Sequence, residues 1–245
     1  MLKAMLHGKL GRPGANDDDE PGTSAWEALT SREDPLTAAV FSRLAYLEPS
    51  DAWALLRAAC ARSAPDEPRL AEAPPSGRPV FSFWPNLRPA KGSFNVDRVQ
   101  PDVLIEWGDI ILVVEVKHLG AQAHGQWVEE VRAVRADPRF SLLRPILLAV
   151  GGAELDTFAA LASSARSALG SGVDLLLLRW DALHEAADAA RGAASATASL
   201  IAGDIVAALE AWGHRRRIGF DSLPEAARRI AVPLGRTDLS GWRIK

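Results

Sequence analysis

Asp102, Glu115 and Lys117 stand toward the two ends of one apolar stretch, QPDVLIEWGDIILVVEVKHLG, at positions 100–120. Glu115 and Lys117 are two residues apart, and in a strand such residues point to the same face. A strand over 102–107, a tight turn at Gly108-Asp109 and a strand over 110–117 fold Asp102 back beside Glu115. Two carboxylates and an ammonium then converge at one end of an otherwise apolar hairpin. Burying them is costly unless they pair or hold a metal, and two adjacent carboxylates drive one another toward protonation. A divalent cation removes that conflict, and oxygen ligands favour Mg²⁺, with Mn²⁺ as a substitute. The Val116 carbonyl can add a ligand. Lys117 is then placed to orient and help deprotonate water, the nucleophile of phosphodiester hydrolysis. The bland alternative is an ordinary strand end with Asp102 in a turn, because a lone D…ExK spacing recurs by chance.

The surrounding elements must position these groups. Thr30 and Ser31 are N-cap candidates for a helix through EDPLTAAVFSRLAYL (33–47), whose Leu36, Val40, Phe41, Leu44 and Leu47 follow helical spacing. Pro35 fits its first turn. A second helix is expected over 51–62, and a Pro-rich loop follows at 63–79. VFSFW (80–84) reads as a strand, and 85–98 as a polar, weakly basic loop leading to Asp102. A helix over about 121–136, a strand over 144–150, a helix over 154–169 and a strand over 173–180 come next. Two more helices are expected at roughly 181–191 and 198–213. The order implies an α/β sandwich on a mixed sheet, antiparallel at the hairpin and parallel at the crossovers.

Pro101-Asp102, twelve intervening residues and Glu115-Val116-Lys117, inside an α-β-β-β-α-β order, resemble the core of the PD-(D/E)xK phosphodiesterase superfamily over about residues 30–150. The resemblance implies a restriction-endonuclease-like fold and a Mg²⁺-dependent endodeoxyribonuclease, with Asp102 and Glu115 on the metal and Lys117 activating water. It also implies an acidic residue from the helix before the sheet, for which Glu33 is the candidate and Asp34 the weaker one. The alternative for Glu33 is an acid that merely complements the helix dipole. A Gln on the helix after the ExK strand is a further feature of some branches; Gln126 fits and Gln122 competes. The implied metal set is Asp102, Glu115, the Val116 carbonyl and Glu33.

REDPLTAAVFSRLAYL (32–47), LLLLRWDAL (175–183) and GHRRRIGF (213–220) resemble, more loosely, bacterial nuclease-like proteins associated with anti-phage defence. That implies a defence effector acting on DNA, positioned or licensed by a protein partner or by assembly into a homo-oligomer. The domain expectation is a flexible arm at 1–24, a nuclease core at 25–180 and a helical extension packed on it at 181–245.

Composition sets the outer limits. The 245 residues are 48% hydrophobic and 24% charged, enough to bury a real core. The net charge of −3 argues against indiscriminate coating of nucleic acid. Local cationic strips remain possible: Arg88, Lys91 and Arg98 flank the strand leading to Asp102 and are candidates for phosphate-backbone contacts. Arg215, Arg216 and Arg217 form a second basic run. The single Cys60 can form no internal disulfide, which points to a reducing cytoplasm. No apolar run reaches the length of a membrane span, and no phosphate-binding GxxxxGK[ST] loop is present. Trp84 and Trp127 could stack on bases, although core packing is the better reading, and His118 is expected to play a structural role. The competing function is a catalytically silent nuclease-fold subunit that binds DNA or partner proteins as a scaffold.

Overall fold

The computed structural model describes residues 32–67, 69–94, 97–193 and 195–215. The expected arm at 1–24, the caps Thr30 and Ser31, Arg216, Arg217 and the tail beyond them lie outside the described residues. The elements run α1 (Glu33–Leu44), α2 (Pro49–Ser63), β1 (Val80–Phe83), β2 (Val103–Trp107), β3 (Ile110–Val116) and α3 (His124–Ala136). A 3₁₀ turn at Pro138–Phe140 leads to β4 (Arg144–Val150), α4 (Leu155–Leu169), β5 (Asp174–Leu178), α5 (Trp180–Ala193) and α6 (Ala196–Ala211).

The five strands form one mixed sheet in sequence order. β1, β2 and β3 pair antiparallel, and β3, β4 and β5 pair parallel. Among the described residues six helices flank the sheet, so the fold is α/β. Alternation along the strands sorts the core into two layers. Val103, Ile105, Leu112, Val114, Leu148 and Leu176 pack with residues of α1, α2, α5 and α6. Leu104, Ile111, Val113, Leu147, Ala149 and Leu175 pack with residues of α3 and α4. Strands β3 and β4 are covered on both faces, which is why they read as unbroken apolar runs rather than alternating ones.

The β2–β3 turn forms as expected. Gly108 takes φ +58, and a Cβ there would press on Pro75 and the Ser76 backbone at 3.0–3.1 Å, so both the conformation and the space call for glycine. Several boundaries differ from the sequence reading. Helix α1 ends at Leu44 rather than Leu47, and its N-cap is Arg32, with no side-chain cap bond. Helix α3 begins at His124 rather than near 121, because Gln122 is engaged in bonds to three backbone carbonyls. Strand β5 stops at Leu178, and Trp180 opens α5 with its indole N–H donated to the Lys117 carbonyl at 2.9 Å. Among the described residues no helix is long and apolar enough to cross a membrane.

Candidate active site

The register Val103↔Val114, carried one step outward, sets Asp102 opposite Glu115 at the end of the hairpin. The β3–β4 register brings Ala149 beside Glu115. Gly151 and Gly152, just past β4, both have positive φ, and a Cβ on either would collide with Lys117. These two glycines let β4 close against the Lys117 backbone and are the part of the site that sequence spacing did not suggest. Gln122 locks the same corner. Its amide donates at 3.2 Å to the carbonyls of Glu115, Val150 and Gly151, and its oxygen accepts from Trp127 Nε1 at 2.8 Å.

Asp102, Glu115 and Lys117 converge, and Glu33 joins them from the start of α1. Asp102 Oδ2 accepts the Val116 N–H at 2.9 Å. The Lys117 ammonium donates to Glu115 Oε1, to Glu33 Oε1 at 3.3 Å and to the Val116 carbonyl at 3.0 Å. Glu33 Oε2 accepts the His118 N–H at 2.9 Å. Gln126 is exposed and sits one step further out, donating to Glu130 Oε1 at 3.1 Å.

Glu130 is the acidic residue that sequence reasoning missed. It lies on α3 within hydrogen-bonding reach of Glu115, so a proton on one of the two carboxyls serves both, and no other donor reaches either buried Oε2 atom. Exposure is 2% for Glu130, 1% for Glu115 and 8% for Asp102. Val128 and Val131 of the same helix are buried in the core. Nothing in the sequence HGQWVEEV separates Glu130 from the neighbouring Glu129, and both are buried.

The electrostatics follow from burial. Desolvation pushes Asp102 well above the usual carboxylate range, and Glu115 adds to this, while the Val116 N–H opposes it. Desolvation raises Glu115 too, against the pull of Lys117. Glu130 is held well above the usual range by burial and then by Glu115. Burial alone would lower Lys117, but Glu115, Glu33 and Asp102 outweigh it and keep its ammonium above the ordinary amine range. Lys117 therefore stays protonated and acts as a hydrogen-bond donor while it sits on these carboxylates. Three carboxyls with raised proton affinity beside one ammonium make a corner of the protein short of positive charge.

Oxygen donors of this kind suit a hard divalent cation. No three His, Cys, Asp or Glu side chains among the described residues stand in a ready-made metal arrangement. The Lys117 ammonium already occupies Glu115 Oε1, and Asp102 Oδ2 is turned to the backbone.

The remaining candidates fall elsewhere. Arg88, Lys91 and Arg98 are exposed. Arg139 holds Asp137 below the usual carboxylate range and Arg88 adds to this, which places Arg88 toward the C-terminal end of α3. The loop carrying Lys91 is tied to α3 through Ser93 and the Phe94 N–H, both donating to Glu129. Trp84 and Trp127 are 4% and 0% exposed, which leaves neither face open for a base. His118 Nδ1 lies 2.9 Å from His214 Nε2, and His214 stacks on Trp180. Burial and then His118 lower His214 to about 4. Trp212 Nε1 donates to the Arg32 carbonyl at 3.1 Å. The end of α6 therefore props up both the start of α1, where Glu33 sits, and the residue after Lys117. No family model, curated protein or solved structure matches the chain.

Proposed function

We propose that the chain is a metal-dependent nuclease of the PD-(D/E)xK type with a restriction-endonuclease-like core. The observation that carries this reading is the set of carboxyls buried at the end of the β2–β3 hairpin with one lysine among them, a costly arrangement with no evident use in packing. Asp102 and Glu115 would hold Mg²⁺ or Mn²⁺, with the Val116 carbonyl beside them. Such a cation supplies charge stabilisation at the scissile phosphate. Lys117 donates hydrogen bonds that orient water and the phosphate oxygens, and its exchange of carboxylate partners for substrate opens the site. Glu33 holds Lys117 and the His118 backbone in register. Gln122 and the two glycines fix the strand ends so that the groups meet.

The resemblance in the segments at 32–47, 175–183 and 213–220 extends the proposal to a DNA endonuclease effector of bacterial defence, licensed by a protein partner or by self-assembly. A silent, scaffold-type subunit is favoured by one observation: Lys117 closes on Glu115 and Glu33, and no open three-carboxylate group stands ready among the described residues. Incubating the purified chain with plasmid, linear duplex, single-stranded DNA and RNA, in Mg²⁺, Mn²⁺ or EDTA, separates the two. Cutting that requires the cation and is lost in Glu115→Ala/Lys117→Ala supports the nuclease. Cutting that survives the double substitution removes the site assignment, and binding without cutting in any condition supports the scaffold.

A further inference from the structure

With Trp84 and Trp127 buried in the core, another aromatic ring stands in solvent beside the site: Phe94, 94% exposed. A single exposed apolar side chain is ordinary on a protein surface. Phe94 differs in how its backbone is held. The Ser93 N–H donates to the Ala90 carbonyl at 3.0 Å, closing a turn in which Gly92 takes φ +82. The Ser93 hydroxyl and the Phe94 N–H, the latter at 3.2 Å, both donate to Glu129 Oε2. Glu129 is 6% exposed, so a carboxylate is taken out of water to hold this loop tip. The backbone is tied down and the ring is left outside.

The tie also sets where the ring stands. Glu129 directly precedes Glu130, which reaches Glu115. It lies one helical turn from Gln126, which is exposed. A second exposed apolar side chain borders the site from the strand side. Leu119, 78% exposed, comes two residues after Lys117, and a Cβ on its neighbour Gly120 would lie 3.4 Å from Lys117 Cδ. Lys91 and Arg98, in the same loop as Phe94, are exposed as well. A fixed aromatic ring between cations is the layout that holds single strands: the ring stacks on a base and the cations track the phosphates. In an intact duplex neighbouring bases cover each other's faces, so only an unpaired base offers its face to such a ring.

We propose that Phe94 stacks on an unpaired DNA base beside the site, with Leu119 against the adjoining nucleotide and Lys91 and Arg98 on the backbone phosphates. The chain then prefers single-stranded DNA, or a strand with unpaired bases, to intact duplex. This names the substrate class of the nuclease reading above and rests on it for the chemistry that follows binding.

The test is fluorescence anisotropy of a labelled DNA oligonucleotide of about 16 nucleotides, as a single strand and as a blunt duplex, in EDTA so that nothing is cut. Full-chain wild type, Phe94→Ala and Phe94→Trp are compared, and equal melting temperatures confirm that each is folded. Wild type is expected to bind the single strand more tightly than the duplex. Phe94→Ala should weaken the single strand by about tenfold and leave the duplex level, while Phe94→Trp keeps wild-type affinity. An unchanged single-strand affinity in Phe94→Ala overturns the inference, as does an equal loss on both DNAs. A wild type that favours the duplex, or binds neither DNA, overturns it too. Repeating the wild-type panel in Mg²⁺ keeps the two readings apart. Phe94-dependent binding without cutting supports this site and counts against the nuclease, whereas cutting with single-strand binding unchanged in Phe94→Ala supports the nuclease and overturns this inference.

Discussion

The two ends of the central sheet handle charge in opposite ways. At the end with the Gly108-Asp109 turn, Arg144 pairs with Asp174 and Arg139 with Asp137, with the Arg144–Asp174 side chains about half exposed at 50% each. Each of these two acids has its own cation, and water screens what is left. At the other end Asp102, Glu115 and Glu130 are buried together with the single Lys117 ammonium on Glu115, and Glu115 and Glu130 face each other with no cation between them. The first end is what a fold needs for solubility. The second costs stability, and that cost is what the proposed nuclease reading rests on.

That contrast can be broken most severely through the backbone. Gly151→Ala would force a side chain into the Lys117 carbonyl and the Trp180 indole at φ +64. It is expected to destabilise the fold by about 1–3 kcal/mol or more and to abolish cleavage. A chemical-denaturation midpoint checks the first, and unchanged stability would show that the β4 end does not need its close approach.

Glu130→Gln sharpens the comparison from the other direction. Removing a buried carboxyl that has no cation of its own should stabilise the metal-free protein by about 1–3 kcal/mol, or about 2–4 °C in melting temperature per kcal/mol for a chain of this size. The sign with pH is fixed by the raised carboxyl. Its contribution to stability is present below its ordinary value of 4.5 and is lost as pH rises through the raised folded value. The gap between variant and wild type in EDTA should therefore widen from acid toward neutral pH; a gap that narrows would contradict this.

At the Gly108-Asp109 end, Arg144→Ala or Asp174→Ala should change stability by no more than about 1 kcal/mol, with cleavage unaffected. A larger loss would mean that this exposed pair carries structural weight. The smallest effect is expected from His214. It is held neutral in the folded state, with its value lowered from 6.5 to about 4. Its contribution is present above 6.5 and is lost as pH falls toward 4. His214→Asn should remove that component of the acid melting curve.

Much of this is legible in the residues alone. The two strand-length apolar runs in 102–117 and the Gly108-Asp109 turn specify the hairpin, and the hairpin brings Asp102 to Glu115. The i, i+2 rule places Lys117 with Glu115. Glu33 came from the resemblance alone, and so did Gln126. Glu130 was not legible, because on a helix packed by α4 and the sheet, Glu129 and Glu130 are both buried and only tertiary contacts say which one faces the strand end. The roles of Gly151, Gly152 and Gln122 were hidden for the same reason: each acts on a backbone group far away in sequence. The part played by α6 in propping Arg32 and His118 rests on Trp212 and His214, whose partners lie 180 and 96 residues away.

The central claim is that the buried charge at the site end is kept for catalysis at the expense of stability. Asp102→Asn tests it most directly, because the amide oxygen can still accept the Val116 N–H while the charge is gone. Cleavage of duplex DNA in Mg²⁺ and melting in EDTA are measured on the same preparation. The account predicts that cleavage falls on the order of 10²–10³-fold while the melting temperature stays level or rises. Retained cleavage, or a melting temperature that falls together with it, would contradict the account.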